Sequence, residues 1–572
     1  MKTERCDVLV IGSGGAGLRA AIELKDKKVD VLVVGKCKKR KAHTILATGG
    51  INAALGNMDK KDKWQIHAAD TIKDGGFIND PLAVKTLCKN APRAVKELKK
   101  WGTKFHKEKN GKITQRFFGA ATYRRACFIG DQTGKAILNT LVDQTLKRKI
   151  RFKSETYIFS LLKNKNKVNG ALGLDLKTGK IIIFHAKKVI LAAGGHSRMF
   201  ARSSSHFWEN NGDGIALAYD AGASFMDMEL FQFHPTGMVW PRKQAGILVT
   251  EAVRGEGGHL TNAKGERFMK KYDPERMELS ARDIVARAIY EEIKKGRGTK
   301  RGGVYLDISH KPKSFILKRL PLMYNQFKKY VNLDISKHKM EVAPTAHYSM
   351  GGIKVDHNTG KSTVSNLYAI GEVTAGMHGG NRLGGNSLAE ITVFGRLTGI
   401  QVAKDVKKAK YIPLNEKQIE EKCNKLKSTM QTKGKNPIKV KEDIQKLMWT
   451  GVGMVRNEKT MNKALKDLKH FCNLPLNTGK QTKMNEKLIA ALDIKNMLPT
   501  CKMIIESAMH RKETRRAHIR SDYPKTKKSW LKNLVCTPTN KGLKITTKPV
   551  PKIPKEIKKY ITKELIKDKP LE

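Results

Sequence analysis

The apolar positions near the start of the chain follow a strand, helix and strand pattern. Cys6 to Ile11 is a strand-sized apolar run, and the glycine-rich segment Gly12 to Gly17 follows it directly. Leu18 to Leu24 has the apolar spacing of a helix, and Asp30 to Val34 is a second strand-sized run. Since parallel strands need a crossover connection, this βαβ start predicts a parallel sheet with a right-handed crossover.

Later segments extend this sheet and interrupt it. Ile150 to Ala192 is rich in strand patterns, and Val189 to Gly195 is an apolar strand that runs into a glycine turn. Between Phe231 and His347 the pattern changes to mixed strands and helices, which indicates an inserted domain. Asn366 to Val373 is again a strand followed by Gly-Glu, and it predicts re-entry into the first sheet.

The C-terminal part of the chain is predicted to be helical. From Asn415 to about Cys536 the apolar residues have helical spacing, and the Lys- and Pro-rich end predicts a loosely held extended tail. The predicted class is α/β: a Rossmann-like nucleotide-binding domain, an inserted α+β capping domain and a C-terminal helical domain. The predicted boundaries are 1–237 and 352–412 for the discontinuous nucleotide-binding domain, 238–351 for the capping domain, 413–536 for the helical domain and 537–572 for the tail.

Composition narrows the class of protein. The chain has 572 residues, of which 40% are hydrophobic, and this excludes a disordered polymer. No apolar run reaches the roughly 18–20 residues that span a bilayer, and the first strand leaves no room for an export signal. The eight cysteines show no C-x-x-C pair and no metal-ligand spacing. We therefore expect a protein with reduced thiols and no metal of its own, cytoplasmic or peripheral on the cytoplasmic face of a membrane.

The chain carries a formal net charge of +59. A positive field of this size can attract nucleic acid, anionic lipid or an acidic protein. The lysines are spread over the whole length and are not interleaved with aromatic residues, as they would be in a groove for nucleic-acid strands. We interpret the excess as a solvated, lysine-rich surface, and we do not expect nucleic acid as a partner.

A G-x-G-x-x-G motif is formed by Gly12, Gly14 and Gly17, with Gly15 inside it. The motif follows a strand and opens a helix, so the helix N-terminus can bind a diphosphate that the glycines allow to approach closely. An NAD site would need an acidic residue at the end of the second strand, but Gly35-Lys36 stands there. FAD is therefore a better candidate than NAD, and a tight turn without a ligand is the alternative.

Further segments, in order over residues 6 to 535, together resemble the flavoprotein subunit of succinate dehydrogenase and fumarate reductase. They are KAHTILATGGINAALGN (41–57), RFFGAATYRRACFIGDQTG (116–134), FQFHPTG (231–237), LVTEAVRGEGG (248–258), LSARDIVARA (279–288), TAHYSMGGI (345–353), YAIGEVTAGMHGGNRLGGNSL (368–388) and RKETRRAHIRSDYP (511–524). The resemblance implies that the first domain binds FAD and that the enzyme interconverts succinate and fumarate by hydride exchange with flavin N5.

The resemblance also implies a dicarboxylate site. Such a substrate needs cations and hydrogen-bond donors at two separated carboxylates. Arg382 and His347 resemble the family's clamp on one carboxylate. The residues that resemble the other side of the site are His234, Thr250, Glu251, Phe118 and Gly119.

By resemblance, Arg282 in SARD is the proton donor and acceptor. Arginine is a poor general acid at its ordinary pKa, so it needs a relay that reloads it. In this family a Glu and an Arg one helical turn apart serve that purpose, and Glu251 and Arg254 have this spacing. An ordinary i,i+3 surface pair is the alternative interpretation.

His43 stands where respiratory members of the family link a histidine covalently to the flavin ring, so the resemblance implies attachment through His43, with a non-covalent histidine beside the ring as the alternative. The other FAD contacts that the resemblance implies, besides the motif glycines, are Thr44, Gly49, Gly50, Asp213, Glu372, Asn386, Ser387 and Leu388.

Three positions depart from the family pattern. Ala120 replaces the second glycine of a usual F-G-G, and Ala42 replaces a usual Ser before the flavin histidine. Arg516 stands where the helical-domain motif usually has Gly, which puts a bulky cation at a normally close approach. None of the three is one of the expected catalytic or substrate-binding residues.

Two other functions remain as alternatives. L-aspartate oxidase shares this fold and most of the site, but it needs an acid near Phe118 for the substrate ammonium, and Lys112 to Gly130 contains none. The second alternative is a basic flavin-binding protein without turnover. Because the chain has no cluster-forming cysteines, we expect its electron partner to be an iron–sulfur subunit, and through it possible membrane-anchor subunits.

Overall fold

The computed structural model describes residues 1–561, and the end of the predicted tail, 562–572, lies outside the described residues. Among the described helices none is long and apolar enough to cross a bilayer. The strands of residues 1–561 are β1 (Lys2–Ile11), β2 (Val31–Val34), β3 (Ile51–Asn52), β4 (Gln115–Arg116), β5 (Ala126–Cys127), β6 (Arg151–Lys153), β7 (Thr156–Asn164), β8 (Lys167–Asp175), β9 (Ile181–Leu191), β10 (Phe225–Met226), β11 (Phe231–Met238), β12 (His259–Thr261), β13 (Val304–Asp307), β14 (Met340–Ser349), β15 (Gly352–Ile353), β16 (Val355–Asp356), β17 (Lys361–Ser362), β18 (Leu367–Ala369), β19 (Val455–Arg456), β20 (Ile519–Arg520), β21 (Lys532–Thr539) and β22 (Gly542–Pro549).

The α-helices range from single turns to a helix of 25 residues. In chain order they are α1 (Gly15–Asp26), α2 (Trp64–Asp74), α3 (Pro81–Lys100), α4 (Thr133–Lys147), α5 (Asp213–Ala221), α6 (Ala252–Gly255), α7 (Met269–Tyr272), α8 (Arg282–Lys294), α9 (Lys313–Arg319), α10 (Pro321–Val331), α11 (Asn386–Lys407), α12 (Glu416–Lys427), α13 (Pro437–Val452), α14 (Glu458–Leu468), α15 (Glu486–His510) and α16 (Lys555–Lys558).

A nine-stranded sheet organises the nucleotide-binding part of the fold. Its order is β16-β17-β18-β9-β1-β2-β6, and the β7-β8 hairpin joins it through β9. β1 lies parallel to β2 and to β9, with Val8 opposite Val31 and Leu9 opposite Val189. β18 returns to the sheet beside β9. The predicted α/β class is confirmed.

The start of this sheet explains the position of the site. The end of β1 and all of β2 are buried, because α1, α4 and α11 pack over this part of the fold. β1 therefore delivers Gly12 to the carboxyl edge of the sheet, and α1 begins at Gly15. Ligands of open α/β sheets bind at this edge.

A second sheet lies in the predicted capping region. Its order is β11-β14-β13-β12, all antiparallel, and α8 packs against β11 and β14. Its own apolar core includes Val285, Ile289 and Leu306. β11 crosses the predicted boundary at residue 237 because it pairs with β14 from Phe231 to Met238. The domain limits themselves stay a prediction.

The C-terminal region combines helices with a hairpin. α13, α14 and α15 pack against one another, as the helical spacing predicted. The prediction of an extended tail is wrong for residues 537–549, where β21 and β22 form a hairpin that pairs with β10. Lys544 and Lys548 are exposed on the outer strand. A lysine-rich composition is typical of an edge strand as well as of a disordered tail, and this explains the error.

Candidate functional site

One large cavity gathers most of the predicted site residues. It lies at the carboxyl end of β1 and encloses about 1640 Å³ including its open mouth. The same cavity extends from the glycine turn at the start of α1 to the buried arginines Arg282 and Arg382. The predicted residues that line it are Gly12, Gly14, Gly15, His43, Thr44, Gly49, Gly50, Phe118, Asp213, His234, Thr250, Glu251, Arg282, His347, Glu372, Arg382, Ser387 and Leu388.

Four predicted residues lie behind the cavity wall. Gly17 gives α1 room to pack, because a β-carbon there would overlap the carbonyl oxygen of Gly12. The Gly119 N–H donates to Glu251 Oε1 at 2.7 Å, so Gly119 acts on the site through Glu251. The remaining two, Asn386 and Arg254, do not line the cavity.

The glycine turn fits a diphosphate. Gly12 has φ +119 and passes so close to β9 that a β-carbon would overlap the carbonyl oxygen of Ala192. The Gly15 N–H donates to Thr44 Oγ1 at 3.0 Å, which fixes the segment after His43 against the start of α1. The backbone N–H groups at the start of α1 thus border the cavity where a diphosphate would lie.

The end of the second strand carries an ion pair that sequence reasoning missed. Lys36 Nζ lies 3.1 Å from Asp213 Oδ2 and 2.9 Å from Asp493 Oδ1. Burial opposes the charge on Lys36, but the two carboxylates outweigh it and raise its pKa. Asp493 belongs to α15, so the helical region supports the cofactor end of the cavity. No local pattern could have indicated this partner.

The predicted attachment residue is oriented by Glu209. The His43 N–H donates to Glu209 Oε1 at 2.9 Å, and His43 Nε2 lies 3.3 Å from Ser205 Oγ. His43 Nδ1 has no hydrogen-bond partner within residues 1–561. Burial, followed by His206 and Arg198, lowers the pKa of His43 to about 4, so the imidazole is neutral at pH 7.

Close approaches also shape the middle of the cavity. A β-carbon at Gly49 would lie 2.5 Å from Phe118 Cζ, so the ring of Phe118 fills the space that glycine leaves. Glu372 accepts a hydrogen bond from the Ser349 N–H at 3.1 Å. Asn386 begins α11, and its side chain contacts Asn52, His67 and Thr71. It therefore fixes the helix start that presents Ser387 and Leu388 to the cavity.

Arg282 is the best-positioned cation of the site. Its Nε and Nη2 donate to Glu251 Oε2 at 2.8 and 2.6 Å, and its Nη1 donates to Gln232 Oε1 at 3.0 Å. Burial favours the neutral form of Glu251, but Arg282 and then Arg254 outweigh it and lower its pKa to about 2. The pair therefore consists of a guanidinium and a carboxylate at neutral pH.

Gln232 joins the two arginines of the cavity and was missed from sequence. Its Oε1 also accepts from Arg382 Nη2 at 3.1 Å. The Arg382 guanidinium lies 4.4 Å from the centre of the Tyr348 ring, and its Nε has no hydrogen-bond partner within residues 1–561. Burial, and then Arg282, lowers the pKa of Arg382 to about 10. Gln232 stands two residues before His234, and this proximity was the available signal.

The two predicted histidines face each other. The ring centroids of His234 and His347 lie 5.1 Å apart, and His347 Nδ1 lies 2.8 Å from Ser204 Oγ. Burial lowers the pKa of both imidazoles well below the ordinary value, and neighbouring Arg282 adds to the shift. Both are therefore neutral. In the tautomer in which Nδ1 of His234 accepts from the Thr236 N–H and Nδ1 of His347 accepts from the Ser204 hydroxyl, each Nε2–H can be donated to an anion.

Arg254 does not pair with Glu251 in the structure. Its Nη1 donates to the carbonyl oxygen of Glu278, and its Nε and Nη2 have no hydrogen-bond partner within residues 1–561. The influence of Arg254 on the Glu251 carboxylate is electrostatic. The relay role of Arg254 stays a prediction.

Two of the family departures have a backbone conformation that favours glycine. Ala120 has φ +64 and Arg516 has φ +50, both in the left-handed region that favours glycine. Ala42, the third departure, is buried immediately before His43. With these replacements present, Phe118 and His43 line the cavity and Gly119 contacts Glu251.

Comparison with known proteins identifies the family. The chain matches the family described as FAD binding domain over residues 7–388 and the family described as Fumarate reductase flavoprotein C-term over residues 441–560. It is 42% identical over 533 residues to a fumarate reductase (CoM/CoB) subunit of Methanothermobacter marburgensis, and the match covers 93% of this chain and 96% of the relative. It is 36% identical over 555 residues to the succinate dehydrogenase flavoprotein subunit of Rickettsia bellii, with 92% of each chain covered.

A solved structure agrees with both relatives. A variant of E. coli quinol fumarate reductase FrdA superposes with a TM-score of 0.90 at 31% identity, over 97% of this chain and 99% of that one. The matched families and the shape of the glycine turn identify FAD as the cofactor, and the chain is an oxidoreductase. It belongs to the family of flavoprotein subunits of succinate dehydrogenase and fumarate reductase.

Proposed function

We propose that this chain interconverts succinate and fumarate. The observation that carries the proposal is the arrangement of Arg282 and Arg382, both held by one amide oxygen of Gln232 and both lining the cavity. The fixed guanidinium of Arg382 can bind one carboxylate of a C4 dicarboxylate, and Arg282 lies beside it, where a proton donor to a central carbon is needed. The neutral imidazoles of His234 and His347 add hydrogen-bond donors from the same cavity wall.

FAD, when bound, supplies hydride exchange with one central carbon of the substrate. Arg282 would then give a proton from its guanidinium to the other central carbon, or take it back in the reverse direction. Glu251 is anionic because Arg282 is charged, so loss of that charge raises the proton affinity of Glu251 at the moment when Arg282 needs a proton. Glu251 would then take up a proton that enters from solvent and pass it to Arg282, and Arg254 holds positive charge beside Glu251.

We also propose that His43 attaches FAD covalently. In support, burial keeps the imidazole neutral, which is its nucleophilic form, and Glu209 holds the backbone of His43 beside the cavity. Acid-precipitated protein should retain a yellow, fluorescent flavin. The His43→Ser variant should bind FAD in the native state and release it on denaturation. Release of flavin from denatured wild-type protein would show that the bond is absent.

The proposed electron partner is an iron–sulfur subunit, with membrane-anchor subunits behind it and this chain peripheral to the cytoplasmic face. The relatives are named as subunits, which supports a partner chain. The +59 charge favours an acidic partner face, with association that weakens as salt concentration rises. The chain by itself should reduce fumarate with small reduced dyes, and it should not do so with quinol or thiol donors. Robust thiol- or quinol-linked turnover by this chain, free of copurified iron, would contradict a separate electron-transfer subunit.

The decisive assay of the proposed reaction uses artificial dyes in both directions. FAD-loaded protein is mixed with fumarate and reduced benzyl viologen, and separately with succinate and an oxidising dye. Turnover in at least one direction is expected. Oxidation of L-aspartate without turnover of either dicarboxylate would replace the proposal by an aspartate oxidase. A salt-sensitive gel shift with nucleic acid and no turnover would favour the binding protein.

A further inference from the structure

A buried ion cluster lies behind the two arginines of the cavity. Arg516 reaches it from the loop after α15, and its Nη2 lies 3.1 Å from Asp74 Oδ1. The Arg516 Nε donates to the carbonyl oxygen of Asp74 at 2.9 Å, and its Nη1 lies 3.5 Å from Asp283 Oδ2. Asp283 is the residue directly after Arg282 in the first turn of α8. The cluster therefore joins the end of α2, the C-terminal region and the helix that carries Arg282.

The protein accommodates Arg516 at a backbone position that favours glycine. The residue has φ +50, which is strained for a side chain with a β-carbon. Its aliphatic stem packs against two glycines: a β-carbon at Gly76 would lie 2.7 Å from Arg516 Cγ, and one at Gly380 would lie 3.1 Å from Arg516 Cβ. Its contacts with the carboxylates and glycines thus hold Arg516 in a conformation that the backbone by itself disfavours.

Asn381 connects the cluster to the cavity. Its Nδ2 donates to Asp74 Oδ1 and to Asp283 Oδ1, each at 3.1 Å. Its Oδ1 accepts from Gln232 Nε2 at 2.7 Å. Asp74 Oδ1 also accepts from Arg516 Nη2, so it acts as an acceptor towards Asn381 as well, and this determines which way the amide of Asn381 points.

The direction of this amide sets the direction of the next one. Since Gln232 gives an Nε2 hydrogen to Asn381 and another to the carbonyl oxygen of Arg382, its Oε1 must face the guanidinium groups. Oε1 accepts from both Arg282 and Arg382. A reversed Gln232 would present its NH₂ group to two cations. An unbroken hydrogen-bond chain therefore runs from Arg516 to Arg282.

We propose that Arg516 is a positioning residue for the reaction: by pairing with Asp74 and Asp283 it sets the direction of the Asn381–Gln232 amide chain and so holds Arg282 in place. The inference rests on the proposed function, in which Arg282 exchanges the proton.

Loss of Arg516 would remove the guanidinium that pairs with Asp74 and Asp283. Arg282 remains as the weaker cationic influence on Asp74, and a buried carboxylate that loses its paired guanidinium favours the uptake of a proton. Burial already raises the pKa of Asp74 to about 7, and Arg516 opposes that rise. A protonated carboxyl group can donate a hydrogen bond, so Asn381 and then Gln232 would be free to reverse. The position of Arg382 would change less, because its guanidinium also packs on the Tyr348 ring.

The neighbouring Arg515 provides a matched control. It lies in the same loop, is similarly buried, and pairs with Glu513 at 2.7 Å. Its Nη1 donates to the carbonyl oxygen of Gly76 at 2.9 Å. Because the structure gives Arg515 no contact with Asp74, Asp283 or Asn381 within residues 1–561, its loss should affect folding stability and leave the amide chain intact.

The experiment compares FAD-loaded wild type, Arg516→Met, Arg516→Lys and Arg515→Met in the dye-linked fumarate assay, with FAD content and Tm measured for each. Misplacement of the proton donor should lower kcat of Arg516→Met by about 10- to 100-fold and raise KM by about threefold at most. Arg516→Lys keeps the charge, so its kcat should lie between those of wild type and Arg516→Met. Arg515→Met should have a lower Tm and the wild-type kcat.

A double variant tests whether Arg516 acts on Arg282 through Asn381. If Arg516 acts through Asn381, the combination of Arg516→Met with Asn381→Ala should be no slower than Asn381→Ala alone. Additive losses would overturn the inference, and so would a kcat of Arg516→Met within twofold of wild type or an equal loss in Arg515→Met. If Arg516→Met does not fold, Arg516→Lys combined with Asn381→Ala replaces it, with the same outcomes. A wild type without turnover would overturn the proposed function and this inference together, whereas an active wild type and an equally active Arg516→Met would overturn this inference alone.

Discussion

Two buried arginine clusters of this protein differ in how their charge is balanced. Arg511, between α15 and β20, lies 2.6 Å from Glu229, 3.2 Å from Glu513 and 3.3 Å from Asp227. It also donates to the carbonyl oxygen of Lys532 in β21. Burial disfavours its charge, but the carboxylates outweigh burial and raise its pKa. All three nitrogens of the Arg511 guanidinium therefore donate to acceptors of the chain itself.

The cavity cluster has fewer acceptors. Arg282, Arg382 and Arg254 surround Glu251, and Nε of Arg382 together with Nε and Nη2 of Arg254 lack hydrogen-bond partners within residues 1–561. Burial lowers the pKa of Arg382 to about 10, opposite in direction to the shift of Arg511. The comparison teaches that the chain itself neutralises one cluster, whereas the other keeps a surplus of positive charge that the proposed dianionic substrate would neutralise.

Arg282→Lys, in the cavity cluster, should have the largest effect on catalytic activity. Loss of the proton donor is expected to lower dye-linked fumarate reduction by about 10²–10⁴-fold while FAD stays bound. Steady-state kinetics and the flavin absorbance of the purified variant measure the two effects. Turnover within about tenfold of wild type would show that another group delivers the proton.

Arg511→Met should lower the stability of the folded protein and leave the catalytic rate unchanged. It removes the guanidinium paired with the buried carboxylates Glu229 and Asp227, and breaking such a cluster typically costs about 3–5 kcal/mol. Denaturant or thermal unfolding of the FAD-loaded protein should show this loss, and the folded fraction should retain kcat. An unchanged free energy of unfolding would mean that the cluster is not structural.

Acid should weaken the cavity cluster through Glu251. Its pKa is about 2 in the folded protein, below the ordinary value of 4.5, so its stabilising contribution is present above pH 4.5 and is lost as pH falls towards 2. At pH 3 the loss amounts to about 2 kcal/mol. The difference in unfolding free energy between wild type and Glu251→Gln, followed from pH 6 to pH 3, measures it. A difference that does not change with pH would contradict the paired state of Glu251.

Arg382→Lys should give the smallest of these effects. A point charge cannot replace a planar fork that contacts Gln232 and stacks on Tyr348, so the KM for fumarate should rise by about tenfold. The same exchange at Arg511 should leave the KM unchanged, which separates binding from stability. An unchanged KM in Arg382→Lys would place the clamp elsewhere.

Much of the fold followed from local patterns. The strand, glycine turn and helix at residues 6–24 correspond to β1 and α1, and the strand at 366–373 returns to the sheet as β18. Composition failed for residues 537–549, because a lysine-rich segment is typical of an edge strand and of a solvated tail alike. Which of the two forms depends on whether β10 is available for pairing, and no local pattern contains that information.

The candidate site also contains residues that local motifs indicated and contacts that only the folded chain creates. Motif spacing indicated Gly12, His43, Arg282 and Arg382, since their segments are recognisable one at a time. The salt bridge of Lys36 with Asp493 joins residues that are 457 positions apart, and the amide of Gln232 has a direction only because Asn381 faces it. The sequence by itself determined the element order, the cofactor class and the residue types of the site. Only the tertiary structure decided which charges are neutralised, because ion pairing and burial depend on distances between segments that are remote along the chain.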